Sequence, residues 1–186
     1  MTQHPIALYE AAAAQADRVV AAVAADQLGD PTPCNDWRVR DVINHLVTGN
    51  LLFAAIVADT PRPDRSADHL GDDPLAAFRD SVARLSGTFA KHDVLSGTYA
   101  TPIGEGPGAL LVRMRLSELV VHAWDIAKAT GQSTDFEPAT VAAARSGYEQ
   151  APVLPRGEGK PFREEKPAPA GATDADRLAA FLGRTV

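Results

Sequence analysis

The stretch ALLVRMRLSELVVHAWDIAKAT, residues 109–130, decides the fold. Its apolar positions Leu110, Met114, Leu116, Leu119, Val120, Ala123, Ile126 and Ala127 spread over more than half of a helix circumference. A helix that apolar belongs at the centre of a bundle, and Gly131 stands where a C-terminal cap would. Into this surface the sequence sets Glu118 and His122, one helical turn apart on one face, with Asp125 further along roughly the same face. A carboxylate and an imidazole in apolar surroundings need partners, because an unpaired buried charge is costly. Two arrangements satisfy them: a hydrogen-bonded Glu–His pair without metal, or a shared divalent ion with a further ligand from a facing helix.

Outward from this helix the chain reads as all-α. Ile6, Tyr9, Ala13, Ala16, Val20 and Val23 form one stripe, which predicts a first helix over Ile6–Leu28, ended by Gly29, Asp30, Pro31 and Pro33. Val39, Val42, Ile43, Leu46, Val47, Phe53 and Ile56 predict a second over Val39–Asp59, with Asp41 suited to its first turn. Residues 61–73 read as a polar loop. A third helix starts near Pro74 and carries Leu75, Phe78, Val82, Leu85 and Phe89. Val94–Thr101 suits an extended piece, Gly104–Gly108 a turn, and Pro138–Gln150 a shorter fifth helix. Residues 152–172 are rich in Pro and Gly and read as a loop or wrap, before a closing helix over Asp174–Leu182. The expected architecture is a four-helix bundle in one domain, 1–186, with a core of about 5–150 and a short helical C-terminal appendage at 151–186.

Composition narrows the function. The 186 residues suffice for a full core without a structural metal, so a bound ion would serve function rather than folding. A net charge of -6 with scattered basic residues argues against nucleic acid as a partner. Cys34 is the only cysteine, which fits a reducing compartment. The N-terminus lacks the pattern of a signal peptide, and the apolar run Leu51–Ala58 is too short to span a bilayer. The expected location is cytoplasmic, away from membranes.

His45 lies in the second helix between Ile43 and Leu46. Alone it reads as a core histidine satisfied by a backbone carbonyl. In a bundle it can meet Glu118 and His122, and two nitrogens with one oxygen leave a zinc ion one open position. Asp125 suits either a partner orienting a ligand histidine or a solvated, capping carboxylate. Trp37 and Trp124 read as packing residues, and Cys34 as a small buried side chain or a thiol near the site. Asn44 faces either the cavity or solvent, while His4, His69 and His92 read as exposed.

The stretches Pro33–Trp37, Val39–Leu46 and Glu118–Asp125 resemble the DinB-like superfamily, and more closely its actinobacterial branch related to the mycothiol-dependent maleylpyruvate isomerase N-terminal domain. The closing segment Asp176–Arg184 is similar to the tail of metal-binding proteins of that branch. The resemblance implies a four-helix bundle whose metal ligands are His45, Glu118 and His122, holding zinc, nickel or another transition metal, with mycothiol or a similar low-molecular-weight thiol as cosubstrate. The implied activity is that of a thiol transferase or isomerase acting on a small electrophile. A metal-dependent hydrolase with Asp125 or another acid as base, and a non-catalytic metal-dependent binding or stress protein, are the alternatives. A homodimer is open. The isomerase carries a further C-terminal domain where this chain has only a short remainder, so the resemblance implies the metal and thiol chemistry rather than maleylpyruvate as substrate. Arg38 stands where many relatives have a Ser or Thr cap, so Asp36 or water is expected to satisfy the first amides of the second helix.

Overall fold

The computed structural model describes residues 4–34, 37–150 and 155–186. Six α-helices appear: α1 (Pro5–Ala21), α2 (Val39–Ala58), α3 (Pro74–His92), α4 (Gly108–Ala129), α5 (Pro138–Glu149) and α6 (Asp174–Phe181). Prolines open α1, α3 and α5, where a missing N–H costs nothing. The Asp73 carboxylate caps α3 by accepting from the Ala76 amide at 2.9 Å.

The first four helices form the bundle. α1 packs on α4 and α3, and α2 packs on α3 and α4, so α4 is central; α5 and α6 lie against it. Tyr9, Phe53, Phe78, Leu85, Leu111, Leu119 and Ile126 are among the largest fully buried side chains. Among the described residues α2 alone is long and apolar enough to cross a membrane, and 61% of that window is buried inside the protein. Its apolarity serves the core.

Three expectations need correction. The first helix stops at Ala21, and Ala25–Gly29 forms a separate 3-10 turn. Gln27 explains the break: its side-chain oxygen accepts from the Ala24 amide at 3.0 Å, and its amide nitrogen reaches the Thr130 carbonyl at the end of α4 at 3.3 Å. Those local bonds replace the helical ladder. The expected extended piece at 94–101 begins as a 3-10 turn, Val94–Ser96, and only Thr98–Thr101 is a strand, β1. The expected turn Gly104–Gly108 is instead β2 (Gly104–Pro107), antiparallel to β1, followed by the first residue of α4. Glycine is needed there for close approach, since a Cβ at Gly108 would overlap the Val94 carbonyl. At the start of α2 the Val39 amide donates to the Asp30 carbonyl at 3.0 Å, and Asp41 accepts from the Arg38 amide at 2.9 Å. Asn35, Asp36 and the start of the expected wrap, residues 152–154, lie outside the described residues.

Arg115 of α4 is fully buried and joins three helices. Its Nε donates to Asn50 Oδ1 at 2.7 Å and its Nη2 to the Leu46 carbonyl at 2.7 Å, both on α2. Asn50 donates onward to Ser81 Oγ on α3 at 2.8 Å. The guanidinium occupies the space over Gly49, where a Cβ would overlap its Nη1. Gly49→Ala is therefore expected to destabilise the protein by about 1–3 kcal/mol through overpacking, although alanine is the better helix former. Urea unfolding midpoints check this, and an unchanged or raised midpoint would contradict the close packing of α2 on α4.

Candidate metal centre

His45 on α2 and His122 on α4 meet across the bundle. Their ring centroids are 4.8 Å apart, with the planes nearly perpendicular. Glu118 sits one turn before His122 and is half-buried. No Glu118–His122 hydrogen bond forms, so the metal-free pairing considered from spacing is not the observed one. Each instead has its own partner on α4. Arg115 Nη1 donates to Glu118 Oε2 at 2.6 Å, and the other carboxylate oxygen has no hydrogen-bond partner among the described residues. His122 Nδ1 lies 3.0 Å from Asp125 Oδ2, so its Nε2 is the nitrogen left for a ligand. Asp125 is fully buried, which rules out the solvated reading.

Behind Asp125 stands Arg184, from the segment after α6. Its Nε reaches Asp125 Oδ1 at 2.7 Å and its Nη2 reaches Oδ2 at 2.9 Å. The same Nη2 lies 3.8 Å from Cys34 Sγ. Ligand-type atoms of Cys34, His122 and Asp125 all lie within 4.8 Å of one another. The structure thus brings His45 to His122 and sets a Cys34–Asp125–Arg184 cluster against His122; among the described residues the close group of ligand atoms is that of Cys34, His122 and Asp125, and Glu118 is not part of it.

The loop before α2 covers the histidines. The Thr32 amide and hydroxyl both donate to the Trp37 carbonyl, at 3.0 and 2.8 Å, and the Thr32 hydroxyl also accepts from the Cys34 amide at 3.2 Å. This closure sets the Trp37 ring 4.8 Å from His45 and 6.0 Å from His122. Trp37 remains 37% exposed, so it is a partial cover over the site and not the packing residue expected. Trp124 does pack in the core, with its indole nitrogen donating to Asp176 Oδ1 at 2.8 Å. Cys34 is half-buried beside charged groups and is not a simple hydrophobe. Asn44 serves the 61–73 loop: it donates to the Ala67 carbonyl at 3.1 Å and accepts from the His69 amide at 2.9 Å. His69 is half-buried, its Nε2 2.7 Å from the Asp64 carbonyl, whereas His4 and His92 are exposed.

The two site histidines have opposite proton affinities. Burial, the neighbouring His122 and the Arg115 and Arg65 charges lower the His45 pKa to about 2, so its ring is neutral. Burial also acts against a charged His122, but its bonds to Asp125 and Cys34 outweigh that and raise its pKa to about 9. In metal-free protein His122 therefore stabilises the fold fully below its ordinary pKa of 6.5, and that contribution is lost as pH climbs through about 9. His45 does the reverse: its folded pKa lies below 6.5, so stability falls as pH drops from there toward about 2. His122→Asn should flatten the alkaline decline and leave the acid decline in place, as read from urea midpoints of metal-free protein across pH. An alkaline decline of unchanged steepness in that variant would contradict the assignment.

Comparison with known proteins agrees with this frame. The family model of the mycothiol maleylpyruvate isomerase N-terminal domain matches residues 9–127. Two uncharacterized proteins of Mycobacterium tuberculosis, from strains CDC 1551 and H37Rv, are each 44% identical over 170 residues, covering 90% of this chain and 91% of theirs. The crystal structure of the mycothiol-dependent maleylpyruvate isomerase superposes with a TM-score of 0.65 at 17% identity, covering 78% of this chain and 68% of that one. A mutant of the same enzyme superposes equally well, at 16% identity. At those identities the superposition speaks for the fold alone, a DinB-like helical bundle. The matched segment spans α2 and α4 and so includes His45, Glu118 and His122. The chain belongs to the family of the mycothiol maleylpyruvate isomerase N-terminal domain.

Proposed function

We propose that this protein is a divalent-metal-dependent enzyme of the thiol transferase or isomerase kind, with His45, Glu118 and His122 as ligands and mycothiol as the thiol cosubstrate. The observation that carries the reading is the facing His45–His122 pair at 4.8 Å, with His122 Nδ1 already held by Asp125. The donor types suit such an ion, while the ligand atoms already within 4.8 Å of one another are those of Cys34, His122 and Asp125, so Glu118 would have to close on the histidine pair. A neutral His45, a His122 oriented through its other nitrogen and a Glu118 with one oxygen lacking a hydrogen-bond partner among the described residues supply two nitrogens and one oxygen, a catalytic zinc set. Family membership supports the thiol as partner, since the matching model is named for a mycothiol enzyme.

When bound, the ion supplies a positive centre that favours thiolate over thiol. The residues of the chain do the rest. Asp125 keeps the His122 ring in one orientation, and Arg115 holds one oxygen of the Glu118 carboxylate. Trp37 covers part of the approach, so a small electrophile beside the histidines meets an apolar wall on one side and polar groups on the other.

The hydrolytic alternative needs a free base, and Asp125 is not free: both of its oxygens are engaged by Arg184 and one also by His122. That removes Asp125 as the base, so the hydrolytic reading would need another acid.

Elemental analysis of purified protein should find about one zinc-like ion per chain, and both His45→Ala and His122→Ala should lose it. In cobalt-substituted protein, added mycothiol should produce a sulfur-to-metal charge-transfer band. Variants that retain the wild-type metal content would remove the ligand assignment. Ester or amide turnover without any thiol would shift the reading to hydrolysis. Metal binding without turnover or a thiol band would shift it to a binding protein.

A further inference from the structure

We propose that Arg184, from the C-terminal segment beyond the family match, is a positioning residue of the histidine site: it fixes Asp125, and Asp125 fixes the ring of His122. The metal arm of its test rests on the proposed function; the imidazole arm does not.

Local sequence explains how a residue so near the chain end reaches the site. α6 ends in Phe181-Leu182-Gly183-Arg184. Gly183 adopts φ +88, and its amide donates to the Ala180 carbonyl at 2.9 Å while the Arg184 amide donates to the Ala179 carbonyl at 3.0 Å. These paired bonds form a Schellman motif, which sets the direction of the residue after the glycine. A Cβ at Gly183 would overlap the Arg163 backbone, so glycine is required by space as well as by φ. The helix itself is fastened at its other end, where Asp176 accepts from Trp124 Nε1 at 2.8 Å and from the Thr173 amide at 3.1 Å. Trp124 and Asp125, adjacent on α4, therefore hold the two ends of α6.

The chemistry at the far end is specific. Asp125 is fully buried and Arg184 is 7% exposed, so neither is held by solvent. The guanidinium forks both carboxylate oxygens, which leaves the carboxylate no freedom to rotate about its own axis. In that orientation Oδ2 lies 3.0 Å from His122 Nδ1. Histidine ligands are set by the partner of their second nitrogen, and here that partner is set in turn from the tail. A simple structural ion pair would need neither the fork nor the alignment with the imidazole.

The experiment compares wild type with Arg184→Met and Arg184→Lys in the full chain, with Arg177→Met on the outer face of α6 as control. Nitrogen-15 NMR of the His122 imidazole in metal-free protein reports the Nδ1–H···Asp125 bond directly, and competition with a chromophoric chelator reports zinc affinity. Arg184→Met should lose the protected Nδ1–H signal and bind zinc about 10–100-fold more weakly, while Arg184→Lys, which keeps charge but not the fork, should fall between. Arg177→Met should match wild type. If Arg184→Met does not fold, Arg184→Lys decides. A folded Lys variant with wild-type imidazole signals and zinc affinity overturns the proposal, as does a folded Met variant with both unchanged. A wild type that binds no zinc defeats the proposed function, and the imidazole signals still decide the role of Arg184.

Discussion

A single buried guanidinium sets the geometry on which the rest depends. Arg115 stands on an otherwise apolar face of α4, fully inside the bundle, and such a charge is tolerable only when its hydrogen-bonding capacity is met. Two of its contacts lie on α2 and one on Glu118. Meeting them fixes how closely α2 approaches α4, and the absence of a side chain at Gly49 makes that approach possible. Asn50 passes the constraint to α3 through Ser81. Because His45 lies one turn before Gly49 on α2 and His122 two turns after Arg115 on α4, the depth and register of that contact also bring the two imidazoles together edge to face. A hydrophobic contact could hold the helices together, but it would fix their register less tightly, since hydrogen bonds are directional and dispersion is not.

Most of the architecture was legible in the sequence because it follows from period and punctuation. The apolar stripes of α1 to α5, the prolines at 74 and 138 and the glycine at 131 locate helices whatever their partners are. What was not legible depended on a partner remote in sequence. Gln27 ends the first helix because Thr130 waits for its amide, and glycines 104–108 pair as a strand because residues 98–101 lie opposite. Period cannot report either.

The site divides in the same way. Glu118, His122 and Asp125 were visible because one helix carries all three at helical spacing, and His45 because an imidazole interrupts an apolar run. Arg115 was available to the same logic, since an arginine between Met114 and Leu116 is as anomalous as Glu118 and equally in need of a partner. Arg184 carried no such signal. It lies 59 residues from Asp125, just past the closing helix, and the turn at Gly183 brings it inward. Trp37 was misjudged for a related reason. Its loop is closed by hydrogen bonds from Thr32, which are invisible to any pattern of apolar residues.

The two ligand-bearing turns of α4 are thereby supported from opposite directions. Glu118 is held from inside the bundle by Arg115, which depends on α2 and α3. His122 is held from outside by Asp125 and the tail, which depend on α6. The inner support is as rigid as the core, because loosening it requires separating packed helices. The outer support rests on an eight-residue helix and one Schellman turn, elements with less packed surface to hold them closed than the bundle helices have. Opening of the tail would release Asp125 and free the His122 ring while His45, Glu118 and the bundle stayed in place. Any donor set built on these residues therefore has one fixed half and one adjustable half, and the adjustable half is the one tied to Cys34 through Arg184.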